Sequence, residues 1–355
     1  MLTRQNLQAE RVQKLAQRWL VAGTCIAMLS SCGTGDSVGG ATNSLPNSAT
    51  RLDSLNAAIL AAPRVAAGYA DRSLFYKETG RIADAIADVE LALELSPDDA
   101  NLWHRLGALR YGGQDFQGAV RDWKSGLEAQ PDHVAILLSL AEVDIHLRQY
   151  ERAMGRLNEA LKTDVKLDAA YYMKGRIYKE TGDSAKAASS LQTAVEVNPE
   201  RYDAYIELGL LYGAARSDMA LEYYRTAKAL RPQSVEALYN EAMYLQEHTD
   251  PQNWQRALQN YDRILMLDPQ NASAAFNKGY VHMINLAAFD SAAFWFSKAI
   301  EVLPHFHQAH YNLGLALEGL GAYDDALQAY DNALSFAPTY DEAALAKGRL
   351  LNNNK

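Results

Sequence analysis

The sequence predicts an all-α solenoid of about eight stacked helical hairpins. Three observations carry that prediction. Helix-stopping markers recur at a near-constant interval, at Pro63, Pro97, Pro131, Val165, Pro199, Pro232, Pro269, Pro304 and Pro338. The gaps are 34, 34, 34, 34, 33, 37, 35 and 34 residues. Each marker follows an apolar helical stretch such as AIADVELALELSP, and proline ends a helix because it lacks the N–H and clashes with the preceding turn. Twelve residues before each marker from Pro97 onward stands an alanine: Ala85, Ala119, Ala153, Ala187, Ala220, Ala257, Ala292 and Ala326. Near the middle of each first helix stands another small residue: Ser73, Gly107, Ala141, Gly175, Gly209, Ala242, Gly279 and Gly314. Small residues at helical spacing let two antiparallel helices approach closely, and larger residues fill the flanks. Those larger residues are Val89, Trp123, Leu157, Leu191, Tyr224, Tyr261, Phe296 and Tyr330 on the second helices.

Residues 1–31 come first. They read as a signal peptide, with a basic start holding Arg4, Arg11, Lys14 and Arg18 against Glu10, then the apolar run from Trp19 to Ser31. Thirteen helical residues reach about 20 Å, too short for a bilayer core of about 30 Å. Both cysteines of the chain, Cys25 and Cys32, lie here. Leu29-Ser30-Ser31-Cys32-Gly33 resembles a bacterial lipobox, whose cysteine takes a diacylglyceryl group and becomes the mature N-terminus. The resemblance implies a processed chain whose sole remaining thiol is alkylated, so no disulfide forms. Two or three acyl chains hold stably where one holds marginally, at about 0.8 kcal/mol per buried CH₂. Gly33 rather than Asp after that cysteine implies outer-membrane residence.

Residues 32–50 follow as the lipidated cysteine and a Gly-, Ser-, Thr- and Asn-rich tether. Residues 51–65 read as the second helix of a half unit. Residues 66–338 hold the eight hairpins, and residues 339–355 a closing helix and tail, with Asp341 and Glu342 favourable in its first turn. Turn signals separate the helices at Thr79-Gly80, Gly112-Gly113, Thr181-Gly182-Asp183 and Leu320-Gly321. Three departures stand out. Val165 replaces proline. Ile264 replaces Ala or Gly. Three extra residues of the sixth unit are expected in the turn around Glu247 to Asn253, and the fifth unit is one short near Ala215.

Units such as NLWHRLGALRYGGQDFQGAVRDWKSGLEAQP and AHYNLGLALEGLGAYDDALQAYDNALSFAP resemble the tetratricopeptide repeat (TPR) family. The resemblance implies a right-handed superhelical solenoid whose concave face is lined by the first helices and binds a protein or peptide. Helical geometry places Ala70, Leu74, His104, Tyr111, Leu138 and Ile145 on that face. Further along it come Tyr172, Arg176, Ile206, Leu210, Tyr239, Met243, Phe276, Tyr280, Met283, Tyr311 and Leu315. Only Lys77, Glu142, Arg176, Lys179, Asp203, Glu236 and Glu318 bring charge to it. An exposed aromatic stripe marks a partner site and a buried one marks packing between helices. A groove from Tyr172 to Leu315 would take an extended segment or a helix. Asn240, Asn277 and Asn312 recur at matched places, and asparagine ladders hold peptide backbones in some members of the family. The Lys, Asn and Arg clamp that holds a C-terminal carboxylate in others is not found.

The net charge is −9, and the acidic body lacks any basic run, which excludes a nucleic-acid partner. It would also be repelled by anionic lipid, so a membrane hold must come from acylation. No phosphate loop, catalytic triad or free cysteine nucleophile survives processing, so neither an enzyme nor a cofactor is expected. His305, His307 and His310 in PHFHQAH read as packing or capping groups, since a metal site needs three or four converging ligands. The expected function is a lipid-anchored adaptor or assembly factor of the bacterial envelope, at the periplasmic or surface face of the outer membrane. The alternative is a module that stacks glycans or peptidoglycan fragments on the aromatic groove.

Overall fold

The computed structural model describes residues 48–248 and 250–353. These residues form eighteen α-helices and one short π-helical segment, with no strand among them. Helix α1 (Ser48–Ala61) stands alone. Eight hairpins follow: α2 (Ala66–Glu78) with α3 (Ile82–Leu95), α4 (Ala100–Gly112) with α5 (Phe116–Ala129), α6 (Val134–His146) with α7 (Tyr150–Thr163), and α8 (Asp168–Glu180) with α9 (Ser184–Val197). Next come α10 (Tyr202–Ala214) with α11 (Met219–Leu230) and α12 (Val235–Gln246) with α13 (Pro251–Leu267). Then α14 (Ala272–Tyr280), continued by the π segment Val281–Asn285, pairs with α15 (Phe289–Val302), and α16 (His307–Gly319) with α17 (Tyr323–Phe336). Helix α18 (Asp341–Asn353) closes the series. Among the described residues, 48–204 and 205–353 form two compact units.

The repeat chemistry builds each hairpin. All eight recurrent alanines are 0% exposed, so two backbones meet there with no room for a larger side chain. A Cβ on Gly107 would sit 2.3 Å from Trp123 Nε1, and one on Gly209 would sit 2.3 Å from Tyr224 Cε1. A Cβ on Gly314 would sit 2.4 Å from Tyr330 Cε1. Small first-helix residue and large second-helix residue are therefore interlocked, as the spacing predicts. The helices begin on capping side chains in several units: Asp99, Asp115, Asp183 and Ser234 each accept a hydrogen bond from a backbone N–H of the first turn.

Hairpin turns need one left-handed residue. Gly80, Gly182 and Gly321 supply it at φ of 74°, 81° and 78°. In the second hairpin the left-handed position belongs to Gln114 (φ 67°), one place beyond the expected Gly112-Gly113 pair. Arg148, Arg216 and Ala287 take it elsewhere.

The length departures have structural homes. The three extra residues of the sixth unit lengthen the second helix rather than the turn: α13 has 17 residues where α3, α5, α7 and α9 have 14. Asp250 caps it by accepting from the Gln252 N–H, and Pro251 opens it. The missing residue of the fifth unit shortens α11 to 12. The 35-residue seventh unit holds its extra residue in the π segment, where the Leu286 N–H donates to the Val281 carbonyl at 3.2 Å. Ile264 is accommodated by exchange: it is 0% exposed and packs with Ala274, whereas Gly126 at the matched place faces Ile136.

Candidate functional site

The first-helix face of residues 205–353 carries most of the predicted groove. Ile206 and Leu315 are buried there, and Tyr239, Met243, Phe276, Tyr280 and Tyr311 are half-buried. Leu210 is exposed at 39%. The rings are engaged by their own repeat and by the segment that follows it. The Tyr239 ring meets Tyr261 edge-on, with centroids 6.2 Å apart. Phe276 lies 5.5 Å from Phe296 and 4.9 Å from Phe306. Tyr311 lies 5.9 Å from Tyr330 and 5.3 Å from Tyr340. Burial pushes the phenols of Tyr280 and Tyr311 up to about 12, so both stay protonated donors at neutral pH.

The recurrent asparagines brace helices. Asn277 donates to the Ser273 carbonyl and to the Tyr239 hydroxyl, both at 2.9 Å, and Asn312 donates to the Gln308 carbonyl at 2.8 Å. Asn240 is half-buried at the matched place on α12. Asn277 thereby ties the first helices of two successive hairpins together.

Tyr172 and Arg176 lie in the other unit, on α8. The Arg176 guanidinium bonds both carboxylate oxygens of Glu142, at 2.8 and 3.1 Å. It also lies 5.9 Å from the Tyr172 ring centroid, and Arg201 lies 5.5 Å from the same centroid. Arg201 in turn pairs with Asp168. Burial raises the Asp168 carboxyl, but the Arg201 and Asn198 hydrogen bonds outweigh it and hold the group below its usual range. Sequence reasoning missed Arg201, since the residue sits in a linker three places after the Asn198 that ends a second helix.

Helix-entry side chains share one further habit. Tyr69, Trp103, Tyr171 and His310 each reach the carbonyl six residues upstream, on Pro63, Pro97, Val165 and Pro304, at 2.7 to 3.2 Å. His310 is thus an inter-repeat brace, with its ring 5.4 Å from Phe336. His305 and His307 meet Phe336 and Tyr340. Among the described residues there is no cluster of three or more metal-binding side chains, and no helix is long and apolar enough to cross a membrane. Cys32, with the signal peptide and the tether as far as residue 47, lies outside the described residues, whereas residues 48–50, expected in the tether, are the first turn of helix α1.

Tetratricopeptide repeat models match residues 66–99, 110–177, 172–235 and 307–340, together more than half of the chain. The chain belongs to the tetratricopeptide repeat family. Among curated TPR relatives, the BBSome complex member BBS4 of Bos taurus is 23% identical over 295 residues, covering 74% of this chain and 56% of that protein. The Hsp70-Hsp90 organizing protein of Triticum aestivum is 21% identical over 253 residues, covering 66% of this chain and 41% of that protein. This TPR chain therefore spans about half the length of those two relatives. Two solved structures share the fold. The type IV pilus biogenesis factor PilW has a TM-score of 0.50 at 19% identity, covering 60% of this chain and 97% of PilW. The APC/C hetero-tetramer Cut9-Hcn1 has a TM-score of 0.50 at 15% identity, covering 84% of this chain and 58% of that one.

Proposed function

We propose that this TPR chain is a non-catalytic scaffold, anchored through Cys32 to the outer membrane of a bacterial envelope, that holds a protein partner for assembly. The observation that carries the scaffold reading is spatial. Apart from the undescribed residue 249, every residue from 66 to 336 lies in a paired helix or in a turn between such helices, so action comes through surfaces. The partner site lies on the first-helix face of residues 205–353, where Leu210 is the open apolar foothold and Tyr239, Met243, Phe276, Tyr280 and Tyr311 present rims. Sugar stacking needs free ring faces. Tyr239, Phe276 and Tyr311 are half-buried and held against neighbouring rings, which leaves less ring surface for a sugar and favours a protein segment over a glycan. Names among the relatives support an organising role, including an Hsp70-Hsp90 organizing protein and a peroxisome biogenesis protein.

One experiment tests both halves. A photo-crosslinking amino acid at Met243 should trap one protein band in intact cells, and adding Leu210→Asp should remove it while Met266→Asp on α13 does not. Cys32→Ser should move the chain from the membrane fraction to the soluble fraction and abolish labelling by a palmitate analogue. Persistent labelling would overturn the anchor. A crosslink indifferent to Leu210→Asp would overturn the groove.

A further inference from the structure

One place in the repeat changes its chemistry from hairpin to hairpin. It lies just before the large second-helix residue and faces the first helix of the same hairpin. Asp88 there pairs with Arg72, Asp122 with Arg110, and Arg156 with Asp144. Tyr223 stacks on Tyr212 with ring centroids 5.3 Å apart, Asn260 donates to Glu241 at 2.9 Å, and the Lys278 ammonium lies 3.9 Å from the Trp295 ring centroid. The fourth hairpin has Ser190. In the eighth hairpin the place belongs to Ala329, and the first-helix residues nearby are Leu313 and Leu317. No polar pair and no ring fills the space, and a cleft of about 370 Å³ is left open between α15, α16 and α17. Leu313, Leu317, Ala329 and Ile300 of α15 form its apolar floor. Glu301, Asp325, Gln328 and Asn332 stand exposed at its rim.

The rim is an acceptor surface. Among the described residues no lysine or arginine lines the cleft, and His310, which does, holds the Pro304 carbonyl at 2.9 Å through Nε2. Glu301 already pairs with Lys298 at 2.7 Å, whereas Asp325 is an exposed carboxylate beside Asp324 in the first turn of α17. We propose that this cleft docks a basic, apolar segment of a partner protein, whose aliphatic side chain seats on Leu313, Leu317 and Ala329 and whose arginine or lysine bonds Asp325 at the rim. Charge complementarity selects the occupant: an apolar floor edged by carboxylates and amide oxygens suits an alkyl stem with a cationic head and repels an acidic one. A pocket that binds a small molecule encloses most of its surface, while this cleft is an open trough between two helices, as side chains presented by a segment need. Leu313 and Leu317 lie on the side of α16 opposite Tyr311 and Leu315, so this site is separate from the first-helix face and does not depend on it.

Fluorescence anisotropy tests this on the full chain carrying Cys25→Ser and Cys32→Ser, with a labelled helical peptide of leucine, alanine and arginine as the probe. The parent should bind it, and should bind neither the peptide with glutamate for arginine nor the one with serine for leucine. Asp325→Asn should weaken binding about tenfold, the scale of a lost charge-assisted hydrogen bond. Asp324→Asn removes the same charge outside the cleft and should change binding by less than about twofold. Ala329→Trp copies the seventh hairpin, fills the cleft and should abolish binding with unchanged circular dichroism. Should that variant misfold, Asp325→Lys on the exposed rim decides, and it should abolish binding too. Leu210→Asp should leave this binding intact, which separates the cleft from the first-helix face. A parent that does not bind, binding that survives Asp325→Lys, or an equal loss with Asp324→Asn would overturn the proposal. Butylguanidinium binding as tightly as the peptide would overturn it in favour of a small-molecule cation.

Discussion

A glycine opposite an aromatic ring sets the strictest rule in these repeats. The Tyr330 ring is 0% exposed and occupies the space a Cβ on Gly314 would need. Gly314→Val forces the ring or the helices apart, and overpacking of this kind costs about 1–3 kcal/mol. Urea unfolding monitored by circular dichroism should show that loss for Gly314→Val. Gly348→Val, at the matched but empty place on α18, should leave the midpoint nearly unchanged. This rule was legible in the sequence because it is steric and local: Gly107 with Trp123 and Gly314 with Tyr330 fall at fixed spacing. What the sequence left open was how the rest of each ring is used. Tyr239 and Tyr311 sit at positions that face inward in either reading, and only packing shows their rings meeting Tyr261 and Tyr330.

Elements absorb length changes in three ways. Counting markers placed the surplus of the sixth unit around Glu247 to Asn253 and the deficit of the fifth near Ala215, but not the element that takes them, because a turn and a helix start are equally able to do so. Helix α13 takes three residues as an added turn, since Asp250 and Pro251 form a good start signal upstream. Asp250→Ala should cost about 1 kcal/mol in the same urea assay, while Asp250→Asn keeps most of the stability, because the cap accepts one hydrogen bond from Gln252. The seventh unit takes its single residue as a π turn, which leaves the Gly279 and Phe296 contact in register.

At the scale of the whole molecule, hairpins depend chiefly on their neighbours, so a local charge change should register in its own unit. Glu241 is the sharpest case, with its side chain 2% exposed among Lys228, Arg256 and Asn260. Burial raises its carboxyl, but the bonds from Lys228 and Asn260 outweigh it and hold the group below the usual range. A depressed carboxylate stabilises fully above its unfolded value of about 4.3, and that contribution disappears as pH falls through the folded value. Hydrogen exchange should therefore show residues 205–353 losing protection on acidification. Glu241→Gln should flatten that loss while weakening the unit at neutral pH by about 3 kcal/mol, the scale for a broken buried pair. Residues 48–204 should change little between the two proteins, their own acid response resting in part on Asp168.

Two neighbouring hairpins carry the same buried ion pair with opposite polarity. Arg110 on α4 lies 2.5 Å from Asp122 on α5, and Asp144 on α6 lies 2.9 Å from Arg156 on α7, as ion pairs at matched places in consecutive units. Near-identical units invite mistaken partnering while the chain collapses, and also when tandem segments recombine. Trading α5 for α7 would set arginine against arginine in one hairpin and aspartate against aspartate in the other, each desolvated. The reversal acts as a key cut differently for each lock, so interchange is penalised between two modules that otherwise share one blueprint.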